Sequence, residues 1–309
     1  MRSLIVLFFF IILFFSVGTI ILSIDSSGAS NTTDFDYSLA QITSGNQQAR
    51  TSVSTEVDRD DDSDTNFACT SAPNDCNLRS AINIANSDGK QTAITFAGNY
   101  IINVSRPLPS LIEDNTVIKA RPEQEVHING NGSAGSVLRV SGAHVQIQGL
   151  RIYGAGAGYP NIAVSDNAYD TVIANNVIGD NDAPNGNCGS SESAYGGIYI
   201  DATGEFEGGY RAWIYGNIIE CNRGIPGDGI TIRSNKVIIG KDQNGNASDA
   251  QRNIIRQNNG FGVNLTDTTD NTVCDNELVA NVMGGLYISN FHNNNIMFNE
   301  IVDNGNNVN

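Results

Sequence analysis

Between residues 137 and 304 the apolar positions of this chain fall into two interleaved series. In the first, four stretches superimpose without gaps: Ile173 to Asn181, Ile214 to Asn222, Val273 to Asn281 and Ile296 to Asn304. Each opens on an apolar residue and carries asparagine at +3, an apolar residue at +5 and asparagine at +8. A fifth copy survives as Asn253, Ile255 and Asn258, split from its opening strand Val237 to Ile239 by an inserted loop from Lys241 to Arg252. A degenerate copy lies at Ile147, Leu150 and Ile152. The second series is Val137 to Val140, Asn161 to Val164, Gly197 to Ile200, Gly229 to Ile232, Gly262 to Leu265 and Gly285 to Ile288. Its period-two alternation predicts strands.

The first inward residues of the second series are Leu138, Ile162, Ile198, Ile230, Val263 and Leu286, separated by 24, 36, 32, 33 and 23 residues. The short steps fit one coil of a solenoid, and the longer ones fit a coil plus an insertion. A leucine-rich horseshoe needs a leucine framework that is missing, and a propeller blade would be about twice as long. The predicted fold is all-β: a right-handed parallel β-helix, whose coils bury their apolar residues only by stacking. About six core coils run from Val137 onward. Asn176, Asn217, Asn276 and Asn299 then share one corner, and Asn181, Asn222, Asn281 and Asn304 share another. Stacked amides bond along the axis, which makes these residues structural rather than a row of ligand-binding groups. The exposed strand edges at the N-terminal end need a cover. Leu78, Ala81, Ile82 and Ala85 lie on one face of a short helix over residues 77–86, with Asn77 as its N-cap. At the other end, Gly305 to Asn309 supplies no such cap.

Asp75-Cys76-Asn77-Leu78-Arg79-Ser80-Ala81-Ile82 resembles the Cys-Ser-Leu-Arg-Glu-Ala motif of a group of microbial surface β-helix proteins in the pectate-lyase-like superfamily. The preceding acidic stretch with Cys69, then Ile94-Thr95-Phe96 and Pro107-Leu108-Pro109, is similar to the same group. So are Val237 to Gly240, Arg252 to Ile255 and Gly260 to Leu265. Asn77 and Ser80 depart from the motif's Ser and Glu. The resemblance covers residues 51–304. It implies a secreted or surface-attached protein and no particular reaction.

Composition agrees with many tight turns, since there are 32 glycines and only 7 prolines, and asparagine and glycine tolerate left-handed backbone. The net charge of -16, from 17 Lys+Arg and 33 Asp+Glu, excludes a phosphate-binding surface and hence a nucleic-acid partner. Arg2 precedes an apolar run from Leu4 to Phe15 that continues less densely to Ile24. This reads as an export signal cut after Ala29 or as a retained anchor, so any membrane contact is through residues 4–24. Residues 30–50 are polar and form a tether, and residues 51–309 are the β-helix domain. Export permits disulfides. Cys69 and Cys76 close a short loop and are expected to pair; Cys188 with Cys221 is a further possibility, left open. Cys274 reads as an inert core thiol.

Lyases of the superfamily use acidic calcium ligands with an arginine base, and the related hydrolases use clustered aspartates. The outer face of the second series carries Arg139, Ala163, Tyr199, Thr231, Asn264 and Tyr287 in one row, and Ser141, Ser165, Asp201, Arg233, Thr266 and Ser289 in the next. Asp201 and Arg233 occupy equivalent places on neighbouring coils and are expected to form an exposed ion pair. No second carboxylate joins the row, no Gly-His-Gly or Arg-Ile-Lys motif occurs, and His127, His144 and His292 are scattered, so no catalytic residue is assigned. Tyr199 and Tyr287, with Asp201 and Arg233, are the candidate glycan-binding residues, for an extracellular polysaccharide or cell-surface glycan. No cofactor is required. Calcium is the one ion the acids could hold, through Asp201, Glu205, Glu207 and Asp228. Asp58, Asp60, Asp62 and Asp64 alternate like a calcium loop but lack its glycine and closing glutamate. Two functions remain: a non-enzymatic, adhesin-like or glycan-binding module, and a polysaccharide lyase or glycoside hydrolase working from the loops at 182–212.

Overall fold

The computed structural model describes residues 49–53, 76–165, 167–179, 188, 195–202, 209–290 and 292–305. The apolar run at 4–24, the tether up to residue 48, the acidic turn at 58–64, Cys69 and Asn181 lie outside these residues. Among the described residues no helix is long and apolar enough to cross a membrane.

The strands form three all-parallel sheets of nine, eight and six strands, each strand pairing with its counterpart one coil away. The chain is therefore a right-handed parallel β-helix. Its register is the one the repeats predict. In the first sheet Ile94, Ile118, Ile147, Ile173, Ile214, Ile239, Val273 and Ile296 stack in one column. In the second, Ile102, Ile128, Ile152, Ile178, Ile219, Ile255, Leu278 and Ile301 do the same. In the third, Leu138, Ile162, Ile198, Ile230, Val263 and Leu286 are consecutive partners. Most of these side chains are fully buried in a single core, each contributing about 1.5–3 kcal/mol of transfer free energy. Burial fades only in the last coil, where Ile301 is 46 % and Phe298 80 % exposed. The first sheet also extends beyond the asparagine repeat, through Val117–Lys119 and Thr92–Phe96 to Ala49–Val53.

Both asparagine ladders are present. Asn176, Asn217, Asn253, Asn276 and Asn299 bond amide to amide at 2.8–3.1 Å. Asn222, Asn258, Asn281 and Asn304 do so at 2.8–2.9 Å. In each rung but the last of each ladder, Nδ2 donates to Oδ1 of the next coil and to a backbone carbonyl of the coil before. For Asn253 these acceptors are Asn276 and Ile214, both at 2.8 Å. The rungs other than Asn299 are buried, and their amides are paired, as an interior amide must be. Glycines 197, 229, 262 and 285 make room for the second ladder: a Cβ on any of them would lie 2.9–3.0 Å from a rung Nδ2. Where that column holds Asn161 instead, its own amide enters the ladder, donating to Asn222 Oδ1 at 2.9 Å. A third, shorter column, Asn271 above Asn294, bonds side chain to backbone at 2.9 Å.

The helix forms over Leu78–Ser87, and Asn77 Oδ1 accepts from Ser80 N at 2.8 Å as its N-cap. Leu78, Ala81, Ile82 and Ala85 join the core beside Val53, Ile94 and Phe96. Arg79 is nearly buried and donates to the carbonyls of Arg106 and Pro107, both at 2.8 Å, which ties the helix to the following turn. Cys188 is bonded to Cys221. Cys76 is also disulfide-bonded.

Cys274 is a free, fully buried thiol, but it does not belong to the core. It follows the core residue Val273 and so faces the other side of the strand, in register with Met297. Burial pushes its pKa up to about 11, against a partial opposing pull from Lys241. We expect no labelling of native protein by a thiol-alkylating reagent at pH 8 and stoichiometric labelling after denaturation. Labelling of the native fold within minutes would contradict this placement.

Candidate functional site

The register of the third sheet brings the predicted outer row together. Arg139 pairs with Ala163, Ala163 with Tyr199, Tyr199 with Thr231, Thr231 with Asn264 and Asn264 with Tyr287. At ~4.8 Å per coil, Tyr199 and Tyr287 stand about 14 Å apart along the axis.

Asp228 organises the middle of this row. It is completely buried, yet its contacts are all with outer-face residues. Its Oδ2 accepts from Thr231 Oγ1 at 2.9 Å and from Asn264 Nδ2 at 2.8 Å, and its Oδ1 accepts from Phe261 N at 2.7 Å. Thr266 Oγ1 then donates to Asn264 Oδ1 at 2.9 Å. Strict alternation from the inward residue Ile230 would point Asp228 into the core. The strand escapes that pattern because Gly229, packed against the ladder, takes no side-chain space of its own.

The tyrosines do not stand alone. The Tyr199 ring meets Tyr195 edge to face at 6.0 Å, and its hydroxyl donates to Asp201 Oδ2 at 3.0 Å. Burial, reinforced by that hydrogen bond and by the Asp201 charge, pushes the Tyr199 phenol up to about 12. Tyr287, 43 % exposed, stacks on Phe261 at 4.8 Å. Tyr195 and Phe261 were missed by sequence reasoning because both lie just before the alternating segments. Their signal is an aromatic directly before a glycine that opens the segment, Tyr195 before Gly196 and Phe261 before Gly262.

The expected ion pair between Asp201 and Arg233 is not formed among the described residues. Asp201 is instead held by Tyr199, two residues earlier on the same face, and Arg233 is exposed. A cross-coil ion pair does form on the second sheet, where Arg256 Nε meets the buried Glu220 Oε2 at 2.7 Å. His127 and His144 each face one carboxylate, Glu125 at 3.0 Å and Asp170 at 3.4 Å. Of the candidate calcium ligands, Glu205 and Glu207 lie outside the described residues, and Asp228 already has three donors on its oxygens. Among the described residues no group of three or more His, Cys, Asp or Glu is placed to hold a metal ion.

No protein-family model matches this chain, and no curated protein matches it. Among solved structures the chain is similar to Jun a 1, the major allergen from cedar pollen, at 16% identity and a TM-score of 0.37. That match covers 76% of this chain and 59% of the allergen, so the chain spans less than two thirds of it. It is also similar to an alginate lyase from Paenibacillus sp. str. FPU-7, at 12% identity and a TM-score of 0.27, covering 72% of this chain and 96% of the lyase. A third match is the A-module of the mannuronan C-5 epimerase AlgE4 from Azotobacter vinelandii, at 12% identity and a TM-score of 0.27, covering 74% of this chain and 91% of the module.

Proposed function

We propose that this protein is an exported, secreted or surface-attached β-helix rod that binds an extracellular polysaccharide or cell-surface glycan without turning it over. The observation that carries the reading is the row on the third sheet: two aromatic pairs, Tyr195 with Tyr199 and Phe261 with Tyr287, flank the polar Thr231 and Asn264. Aromatic faces accept the C–H faces of sugar rings, and small polar groups between them fix orientation. The Cys188–Cys221 disulfide suits an oxidising compartment, in keeping with the apolar run at the N-terminus.

Incubation with a panel of acidic and neutral polysaccharides tests the reading. Binding without release of unsaturated or reducing ends is expected. It should weaken at least tenfold, about 1.4 kcal/mol, when Tyr199→Ala is combined with Tyr287→Ala. Release of such ends would replace this reading with a lyase or hydrolase acting from the loops at 182–212. Calcium binding through Asp201 with Glu205, Glu207 and Asp228 is a separable proposal. Titration calorimetry should then give heat and a raised Tm, and the absence of both ends it.

A further inference from the structure

Resting on the glycan-binding reading above, we propose that the third-sheet row is a hydrogen-bond acceptor surface that selects neutral, hydroxyl-rich polysaccharide over uronate polymers. A hydroxyl has one hydrogen and two lone pairs, so the direction of its hydrogen decides what it offers a ligand. Along this row the hydrogens are turned inward. Tyr199 donates to Asp201, Thr231 to Asp228 and Thr266 to Asn264, at 2.9–3.0 Å. Asn264 donates one amide hydrogen to Asp228 at 2.8 Å. Beside two donors, the exposed guanidinium of Arg233 and the second amide hydrogen of Asn264, the row presents toward solvent the lone pairs of Tyr199 and Thr266 and the second oxygen of Asp201. Sugar hydroxyls can donate to all of these, whereas an ionised uronate carboxylate has no hydrogen to give.

Charge points the same way. The ionisable groups at the centre of the row are Asp201, Asp228 and Arg233. Arg233 holds the place equivalent to Asp201 one coil on, so the two offset each other, and Asp228 leaves a negative remainder. Arg139 stands two coils before Tyr199, about 10 Å away, where salt screens it. A polyanion would approach this face against a chain of net charge -16.

Affinity electrophoresis of the full chain separates the possibilities, with a soluble β-glucan and a galactomannan as neutral probes and polygalacturonate and alginate as acidic ones. The neutral polymers should bind at least tenfold more tightly. Asp228→Asn, which forces one donor of the row to turn outward, should reduce that preference at least threefold. Asp201→Asn, at a partly exposed position tolerant of change, should do the same and covers the case in which the buried variant fails to fold. Equal or tighter binding of the uronates overturns the inference and leaves the glycan reading standing. Absence of binding to every polymer overturns the glycan reading, and this inference with it.

Discussion

Asn253→Asp should destabilise the protein by about 3–5 kcal/mol at pH 7, although it exchanges only an amide for a carboxylate of the same shape. Asn253 accepts through Oδ1 from the backbone N and Nδ2 of Asn217, both at 3.0 Å. Those bonds survive the change. Its Nδ2 faces Asn276 Oδ1 and Ile214 O at 2.8 Å, and there the new oxygen would oppose two acceptors inside a dry interior. Burial and these two oxygens would raise the folded-state pKa of the introduced acid above its unfolded value near 4. A raised acid is tolerated below the unfolded pKa and penalised as pH rises through the folded one. Urea denaturation should therefore show the largest loss relative to wild type at pH 7 and recovery of at least about 1 kcal/mol near pH 4. A loss under about 1 kcal/mol, independent of pH, would mean that the ladder carries no stability.

Gly240→Ala should be worse than its chemistry implies, and Gly245→Ala is the internal control. Both glycines have positive φ, +101° and +79°, so both substitutions strain the backbone by roughly 1–2 kcal/mol. The surroundings differ. A methyl on Gly240 would overlap the carbonyl oxygen of Cys274 on the next coil and sit 2.9 Å from the ladder amide of Asn276, whereas nothing lies within 4 Å of one on Gly245. We expect Gly240→Ala to cost about 4 kcal/mol or more, a fall in Tm on the order of 10 °C. Gly245→Ala should lower Tm by only a few degrees. Equal shifts in the two variants would show that the coils separate freely at Gly240.

The fold was legible in this sequence because a β-helix repeats its register. Once Leu138, Ile162, Ile198, Ile230, Val263 and Leu286 are aligned as inward residues, the row that includes Tyr199 and Tyr287 follows without further assumption. The ladders were legible because asparagine recurs at fixed spacing, and its short amide both donates and accepts at one corner. Asn161 was hidden, since it reaches the second ladder from a glycine column on the opposing strand. The coils before Val137 were hidden for a related reason: they lack the two buried asparagine columns, and the cross-coil amide contact they do make, Asn129 to Asn103 at 2.9 Å, is exposed. Asp228 was singled out only as a calcium ligand, and its place in the outer row stayed hidden, because a glycine packed against the ladder breaks the alternation used to assign faces; Phe261 escaped because it lies just before the alternating segment. The Asp201–Arg233 pair failed at a finer level. Equivalent backbone positions bring two side chains near one another, but a partner two residues away on the same strand wins the shorter contact.

The ladders also give the rod an electrical direction. Between side chains, each rung that has a successor donates toward the C-terminal end, from Asn161 to Asn222 and along the column from Asn176 to Asn299. Their amide dipoles thus add head to tail instead of cancelling, and each polarises the next. A coil can extend such a column only if it lies in the same sense.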